Sequence, residues 1–418
     1  MRDMLGREDA IPVHEAQRLL FEHISVREPS TTVRILIEKA YQRVLSENIY
    51  SSEDLPAFSR STVDGYAVIS ADTFGATEGL PAYLNITGDI LMGEEPRFIV
   101  KRGAAAKIAT GGMLPGGSDA VVMFEHTQQV DGGLIEVLKP AAPGENVISA
   151  GEDIKKGEMV LARGSTLRPQ DIAALAALGI TLVDVYAEPR VSIISTGDEI
   201  VPAESPLKPG QVRDVNSYNL FGLTMECGAV PVKKGLFKDS YDAIRDVVRE
   251  SIEDSDMVII TGGSSVGTKD MTHSIIDSLG SPGVLFHGVA LKPGKPTIGG
   301  VIGGKPVFGL PGHPAAVTVC FELFVRPVIR RLTGATENIS LNTRRSVHAR
   351  IAKNISSGSG REEHVRVSIE ERGGELWAVP VLGKSGLIRT LVKAAGVVVL
   401  PSHVRGIQEG DTVEVILF

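Results

Sequence analysis

Three glycine- and proline-rich segments concentrate the residues that could do chemistry, and each follows an apolar run of strand type. Thr196-Gly197-Asp198-Glu199 sets two adjacent carboxylates at a strand end. Such oxygen donors suit a divalent cation, though a turn with solvated acids accounts for them equally well in isolation. Gly262-Gly263-Ser264-Ser265-Val266-Gly267-Thr268-Lys269-Asp270 lets backbone N–H groups approach an anion and adds hydroxyl donors. It is neither a Walker loop nor a dinucleotide fingerprint. Its Gly263-x-Ser265-x-Gly267 spacing does match the nucleophile elbow of serine hydrolases. An elbow puts its helix directly behind the serine, whereas Gly267 and the Lys269-Asp270 pair precede the apolar helical pattern here. In the third segment, Lys292-Pro293-Gly294-Lys295-Pro296, a stiffened backbone holds two lysines close together. That costs repulsion unless an anion lies between them. Gly309-Leu310-Pro311-Gly312-His313-Pro314 then aims a helix N-terminus at the same end of the domain, so the set predicts a seat for a multiply charged anion.

Other segments say less alone. Ser61-Thr62-Val63-Asp64-Gly65 puts an acid before a glycine, Thr110-Gly111-Gly112 is a permissive loop, and Gly151-Glu152-Asp153 reads as a charged hairpin turn. The nine histidines show no paired ligand spacing, so a histidine zinc centre is not expected. Cys227 and Cys320 are far apart in apolar stretches, too few for a disulfide framework, and read as buried filler.

These loops must be held by several folded units, because 418 residues imply about three domains. Apolar spacing predicts two helices between Ile11 and Leu45 and another over 169–178, with Pro169 in the first turn, Asp171 close behind and Gly179 at the end. The 169–178 helix is expected to pack with the N-terminal pair. Residues 1–60 with 145–188 therefore read as a helical linker domain, and 61–144 as a mainly β module. From 189 to 334 strands and helices alternate, the pattern of a three-layer α/β/α domain with a mostly parallel sheet. Residues 335–418 return to short strands, as in a small β-barrel.

Lysine plus arginine total 43 against 51 acids, a net charge of −8 that argues against broad nucleic-acid binding. No apolar run is long enough for a membrane span, and the N-terminus lacks the apolar core of a secretory signal. A cytoplasmic, membrane-free protein is expected.

Nine segments in order (STVDGYAV, TGGMLPGGSDAVV, GEDIKKG, LRPQDIAALAALGI, STGDEI, VRDVNSYNL, TGGSSVGTKD, ALKPGKP and GLPGHPAAV) make the chain resemble the molybdopterin molybdenumtransferase family. The resemblance runs from about residue 12 to the C-terminus. It implies insertion of molybdate or tungstate into adenylylated molybdopterin with release of AMP, assisted by Mg²⁺. It also implies a homodimer supplied by a molybdopterin adenylyltransferase. Carried over by position, Asp64, Asp153, Glu199, Asp239 and Asp270 would be catalytic, and Glu199 and Asp270, with Asp198 by adjacency alone, would hold the metal. Thr110, Gly262, Gly263, Ser265, Lys292, Lys295, Pro296, Arg366 and Ser385 would bind substrate or oxyanion. Two departures stand out: His313 lies where many relatives have asparagine, and His364-Val365 where an aromatic residue is common. The other readings are a non-catalytic scaffold of the gephyrin type, adenylyl transfer to the pterin, and a hydrolase using Ser265. The scaffold is disfavoured by intact Asp64, Lys292 and Lys295, and adenylyl transfer by a loop that lacks the second Thr-Gly of Thr-Gly-Gly-Thr-Gly.

Overall fold

The computed structural model describes residues 10–24, 31–262, 266–336, 345–358 and 360–418, with the backbone alone for 266–270. Its centre is a six-stranded sheet in the spatial order Val230–Phe237, Arg190–Thr196, Met257–Gly262, Lys305–Leu310, Ile298–Ile302, Pro282–His287. The first four strands run parallel; Ile298–Ile302 is antiparallel to both of its neighbours, so Pro282–His287 runs in the same direction as the first four. The helices Asn216–Glu226, Tyr241–Asp254, Val266–Leu279 and Pro314–Cys320 complete the α/β/α layering. Two separate apolar clusters line the sheet, one including Ile193, Phe308 and Phe324 and the other Val248, Ile260 and Ile275. Because strands buried on both faces have no polar side, Met257–Gly262 is buried along nearly its whole length.

The expected fold class is met, with corrections of detail. The second expected N-terminal helix is instead the strand Thr32–Leu36 followed by a short 3₁₀ turn, Ile37–Lys39. β-Branched Thr32, Val33 and Ile35 favour an extended chain, and antiparallel pairing with Leu182–Tyr186 decides the matter across about 150 residues. The lobe expected to be helical is thus, among the described residues, largely short antiparallel pairs beside the helices Val13–His23 and Pro169–Ala177. The latter begins as its sequence indicates: the Asp171 carboxylate accepts from the Arg168 backbone N–H (2.8 Å) and guanidinium (2.9 Å), which lowers its pKa. Gly179, in the left-handed region at φ 69°, ends it.

The helix Val13–His23 does not pack beside Pro169–Ala177. Its Val13, Ala16 and Leu20 join the α/β core, and the Gln17 amide donates to the Leu323 carbonyl (2.9 Å). Leu20 is 1% exposed, so Leu20→Ala should cost about 2–5 kcal/mol of stability in denaturant unfolding. A loss under about 0.5 kcal/mol would show that this helix is not part of the core.

The β module is a six-stranded sheet in which Gly65–Val68 is flanked by Ala104–Ile108 and Ala120–Met123. The C-terminal strands Glu362–Arg372, Glu375–Pro380, Ser346–Ile351, Thr412–Leu417 and Gly396–Leu400 close into a barrel, since the first also pairs with the last. One strand of another domain is added to it: Leu291–Lys292 pairs in parallel with Glu362–Glu363. Among the described residues, no helix is long and apolar enough to cross a membrane.

Candidate functional site

Parallel strands bring the ends of Arg190–Thr196, Met257–Gly262 and Lys305–Leu310 to one edge of the sheet, where ligands of open α/β sheets bind. Gly262 stands in register with Thr196 at φ 135°, and a Cβ there would collide with the Thr196 carbonyl, so only glycine lets the strand pass. The loops beyond enclose a cavity of about 570 Å³. Ile200, Val212, Val215, Pro314 and Ile388 give it apolar walls, while Glu199, Asp214, Asn216 and His313 give it polar ones. Asp214 is buried, accepting from the Ser195 hydroxyl (3.2 Å) and the Ser217 N–H (3.0 Å).

A second cavity, about 260 Å³, opens where the barrel meets the lysine segment. It unites three expected oxyanion residues, Lys292, Arg366 and Ser385, with Glu363, His364 and Lys384. Lys292 arrives on the strand grafted to the barrel, and its Nζ lies 2.8 Å from the Glu363 carboxylate. This neutralising partner was not anticipated from sequence. Gly294, at φ 130°, lies against Cys320, whose Sγ would be 2.6 Å from any added Cβ. The buried Thr297 hydroxyl donates to the Gly294 carbonyl (2.7 Å) and fixes the turn. Neither cavity is lined by Lys295 or Pro296. Arg366 is buried, which pushes its pKa down, and its Nη2 donates to the Gly383 carbonyl (3.2 Å). Its Nε has no partner among the described residues.

The two histidine departures acquire concrete contacts. His364 is buried with its Nε2 2.8 Å from Glu362. His313 Nδ1 lies 2.9 Å from the Ser385 hydroxyl, and the Ala315 N–H donates to the Ser385 carbonyl (3.1 Å). Ser385 borders the smaller cavity and Gly386 and His313 the larger, so this contact joins the two.

Of the expected acids, Glu199 lines the larger cavity. Asp198 sits beside Asp239, whose backbone N–H donates to Asp198 Oδ1 (3.4 Å). Asp270 belongs to the helix Val266–Leu279, and its side chain, like Gly263 and Ser265, lies outside the described residues. That helix starts directly behind the glycine loop, so the expected delay at Gly267 and Lys269-Asp270 is not met. Among the described residues, no three His, Cys, Asp or Glu side chains cluster as a metal site.

The remaining residues lie elsewhere. In the β module, Asp64 Oδ1 accepts from the backbone N–H (2.7 Å) and hydroxyl (3.0 Å) of Thr110, which lowers its pKa. The Asp153 turn lies at Leu55, whose carbonyl accepts from the Asp153 N–H (3.1 Å) beside the bridge between Leu55 and Ile154. Neither cavity is lined by Asp64, Thr110 or Asp153.

Burial pushes both cysteine thiols up to about 12. Thiolate is therefore scarce near neutrality, and a disulfide-exchange dye at pH 8 should label neither in the native protein and both after unfolding. Rapid native labelling would refute the filler reading.

Residues 11–179 match the MoeA N-terminal region (domain I and II), 192–331 a probable molybdopterin binding domain, and 348–418 the MoeA C-terminal region (domain IV). The chain is 35% identical over 420 residues to a putative molybdopterin biosynthesis protein of Methanocaldococcus jannaschii, covering 98% of each. It is 33% identical to the molybdopterin molybdenumtransferase of Bacillus subtilis, covering 99% of this chain and 95% of that one. A molybdopterin biosynthesis MoeA protein from Pyrococcus horikoshii superposes with TM-score 0.84 at 33% identity, over 98% of this chain and all of that one. The serine-hydrolase and scaffold readings find no support in these likenesses. The chain belongs to the MoeA family, the molybdopterin molybdenumtransferases, enzymes of molybdenum cofactor biosynthesis.

Proposed function

We propose that the chain inserts molybdate into adenylylated molybdopterin and releases AMP, using the two joined cavities as one substrate cleft. The supporting observation is the convergence of Lys292 and Arg366 from separate domains on a small cavity joined through His313 and Ser385 to a larger, partly apolar one. The small cavity has the chemistry for a tetrahedral oxyanion: a fixed guanidinium, an ammonium and a hydroxyl. Molybdate and tungstate fit it alike, because their charge and size are nearly the same. The larger cavity suits a flat heterocycle beside the phosphates, with Gly262 allowing close backbone approach.

Asp198 and Glu199 are exposed oxygen donors of the kind Mg²⁺ takes, Asp239 meets Asp198 through its backbone N–H, and a Mg²⁺ held by the two carboxylates would complete its shell with water and phosphate oxygens. When bound there, the ion would neutralise charge on the pyrophosphate. The chain's own part is positional. Lys292 and Arg366 hold the oxyanion at the dithiolene, the loops orient the anhydride, and a nearby carboxylate accepts a proton from the attacking water. Water's oxygen joins the adenylyl phosphorus, and the anhydride P–O bond breaks to leave AMP and the pterin phosphate.

Asp64 and Thr110 pair in the β module away from both cavities, so we propose a homodimer in which this corner of one protomer completes the cleft of the other. The adenylylated pterin would come from a molybdopterin adenylyltransferase in the cytoplasm. The test is AMP release from adenylylated molybdopterin with Mg²⁺, comparing molybdate, tungstate and no oxyanion. Oxyanion-dependent release is expected, and its absence despite substrate binding would overturn the reading. Inactive Asp64→Ala and Arg366→Met proteins, mixed so that subunits reassort, should regain about a quarter of wild-type activity if sites are shared. A monomer in light scattering, or no recovery on mixing, would reject the shared cleft.

A further inference from the structure

We infer that the side-chain oxygen of Asn216 is the acceptor by which the larger cavity recognises the N–H edge of a flat heterocycle. Asn216 opens the helix Asn216–Glu226, is 5% exposed and lines that cavity. Its Nδ2 donates to the Gly312 carbonyl (2.9 Å) and to Thr261 Oγ1 (3.1 Å). A carbonyl oxygen can only accept, so Gly312 fixes which end of the amide faces it. The threonine hydroxyl agrees with that orientation, being placed to donate onward to the Pro311 carbonyl (3.4 Å). Oδ1 is therefore turned the other way, where it is buried and has no partner among the described residues. An acceptor left unpaired in this way costs free energy, and its position at a ligand cavity identifies the missing donor as the ligand's.

The chemistry of the donor follows. A lone carbonyl-type oxygen repels phosphate and oxyanion but accepts from a ring N–H or an exocyclic amine. The neighbouring Val215 and Pro314 offer apolar faces to a flat ring. On the substrate reading above, which this inference rests on, both the adenine and the pterin carry such an edge. Either could be the source. Asn216 would then distinguish the amine-bearing ring from an isosteric ring lacking it, as sites built to pair a donor reject its absence.

The test is calorimetric titration of the full-length protein with two probe pairs: AMP against purine riboside 5′-monophosphate, and pterin against unsubstituted pteridine. In the wild type, one N–H-bearing probe should bind about tenfold more tightly than its partner, and the pair that shows this identifies the ring. Asn216→Ala should abolish the preference while leaving the binding of the N–H-free probe unchanged. Should that variant fail to fold, Asn216→Ser serves the same purpose, and the wild-type comparison stands by itself. No preference in either pair, or a preference that survives the substitution, overturns the inference. Tungstate is titrated alongside to separate the two failures. Tungstate binding without heterocycle discrimination sinks only the role of Asn216, whereas heterocycle discrimination without tungstate binding supports Asn216 and counts against the oxyanion cleft.

Discussion

Arg366→Met should lower oxyanion-dependent AMP release by about 100-fold or more. Arg366 is 7% exposed, is tied by one nitrogen to Gly383, and lines the small cavity together with Lys292. A guanidinium fixed in a poorly solvated site needs no reorganisation when the anion arrives, which makes its loss costly. Methionine keeps much of the volume, so the barrel should unfold at nearly the same denaturant concentration as the wild type. The loss should also depend on molybdate, because an arginine that holds the anion raises the half-saturating concentration when removed. Arg366→Lys should recover only part of the activity, since an ammonium cannot bond Gly383 and a tetrahedral oxyanion in the same fork geometry. Undiminished release by Arg366→Met at low molybdate would remove the small cavity from the reaction.

Gly262→Ala should be the most damaging single-methyl change in the α/β domain. At φ 135° alanine is strained, and its Cβ would overlap backbone atoms of Thr196 on the neighbouring strand, which cannot move without breaking the sheet register. We expect a loss of more than about 3 kcal/mol in denaturant unfolding, together with loss of AMP release. By contrast Gly222→Ala, where an added Cβ meets nothing within 4 Å inside a helix, should be neutral or slightly stabilising. Equal effects at the two glycines would show that the strand-end contact does not govern the loop.

Local signals in the sequence were reliable wherever local forces decide the structure. Pro169, Asp171 and Gly179 bound a helix because capping involves only near neighbours. The alternation of strands and helices after residue 189 was legible because strands buried on both faces must be apolar throughout. Thr32–Leu36 was misread because its partner strand lies about 150 residues away and its apolar spacing suits either period. Ile298–Ile302 was harder still, since this glycine-rich strand has little side chain to pattern.

The site divides the same way. The rigidity of the Lys292–Pro296 segment could be read directly, but its neighbours could not. Lys292 meets Glu363, and His313 meets Ser385, only because one domain lends a strand and a helix end to the other. Asn216 lies in the segment VRDVNSYNL but nothing there singles it out: its unpaired oxygen exists only once Gly312 has claimed the other end of the amide.

The grafting of Leu291–Lys292 onto the barrel has a thermodynamic consequence. The walls of the small cavity belong to two separately cored bodies, and no anion can be held by both unless they stay docked. Oxyanion binding and docking are then linked equilibria, each strengthening the other by the same factor. An anion at 100 times its dissociation constant would add about 2.7 kcal/mol to the docked state. Molybdate would in this way act as a clasp between two halves of the enzyme before it is ever a reactant.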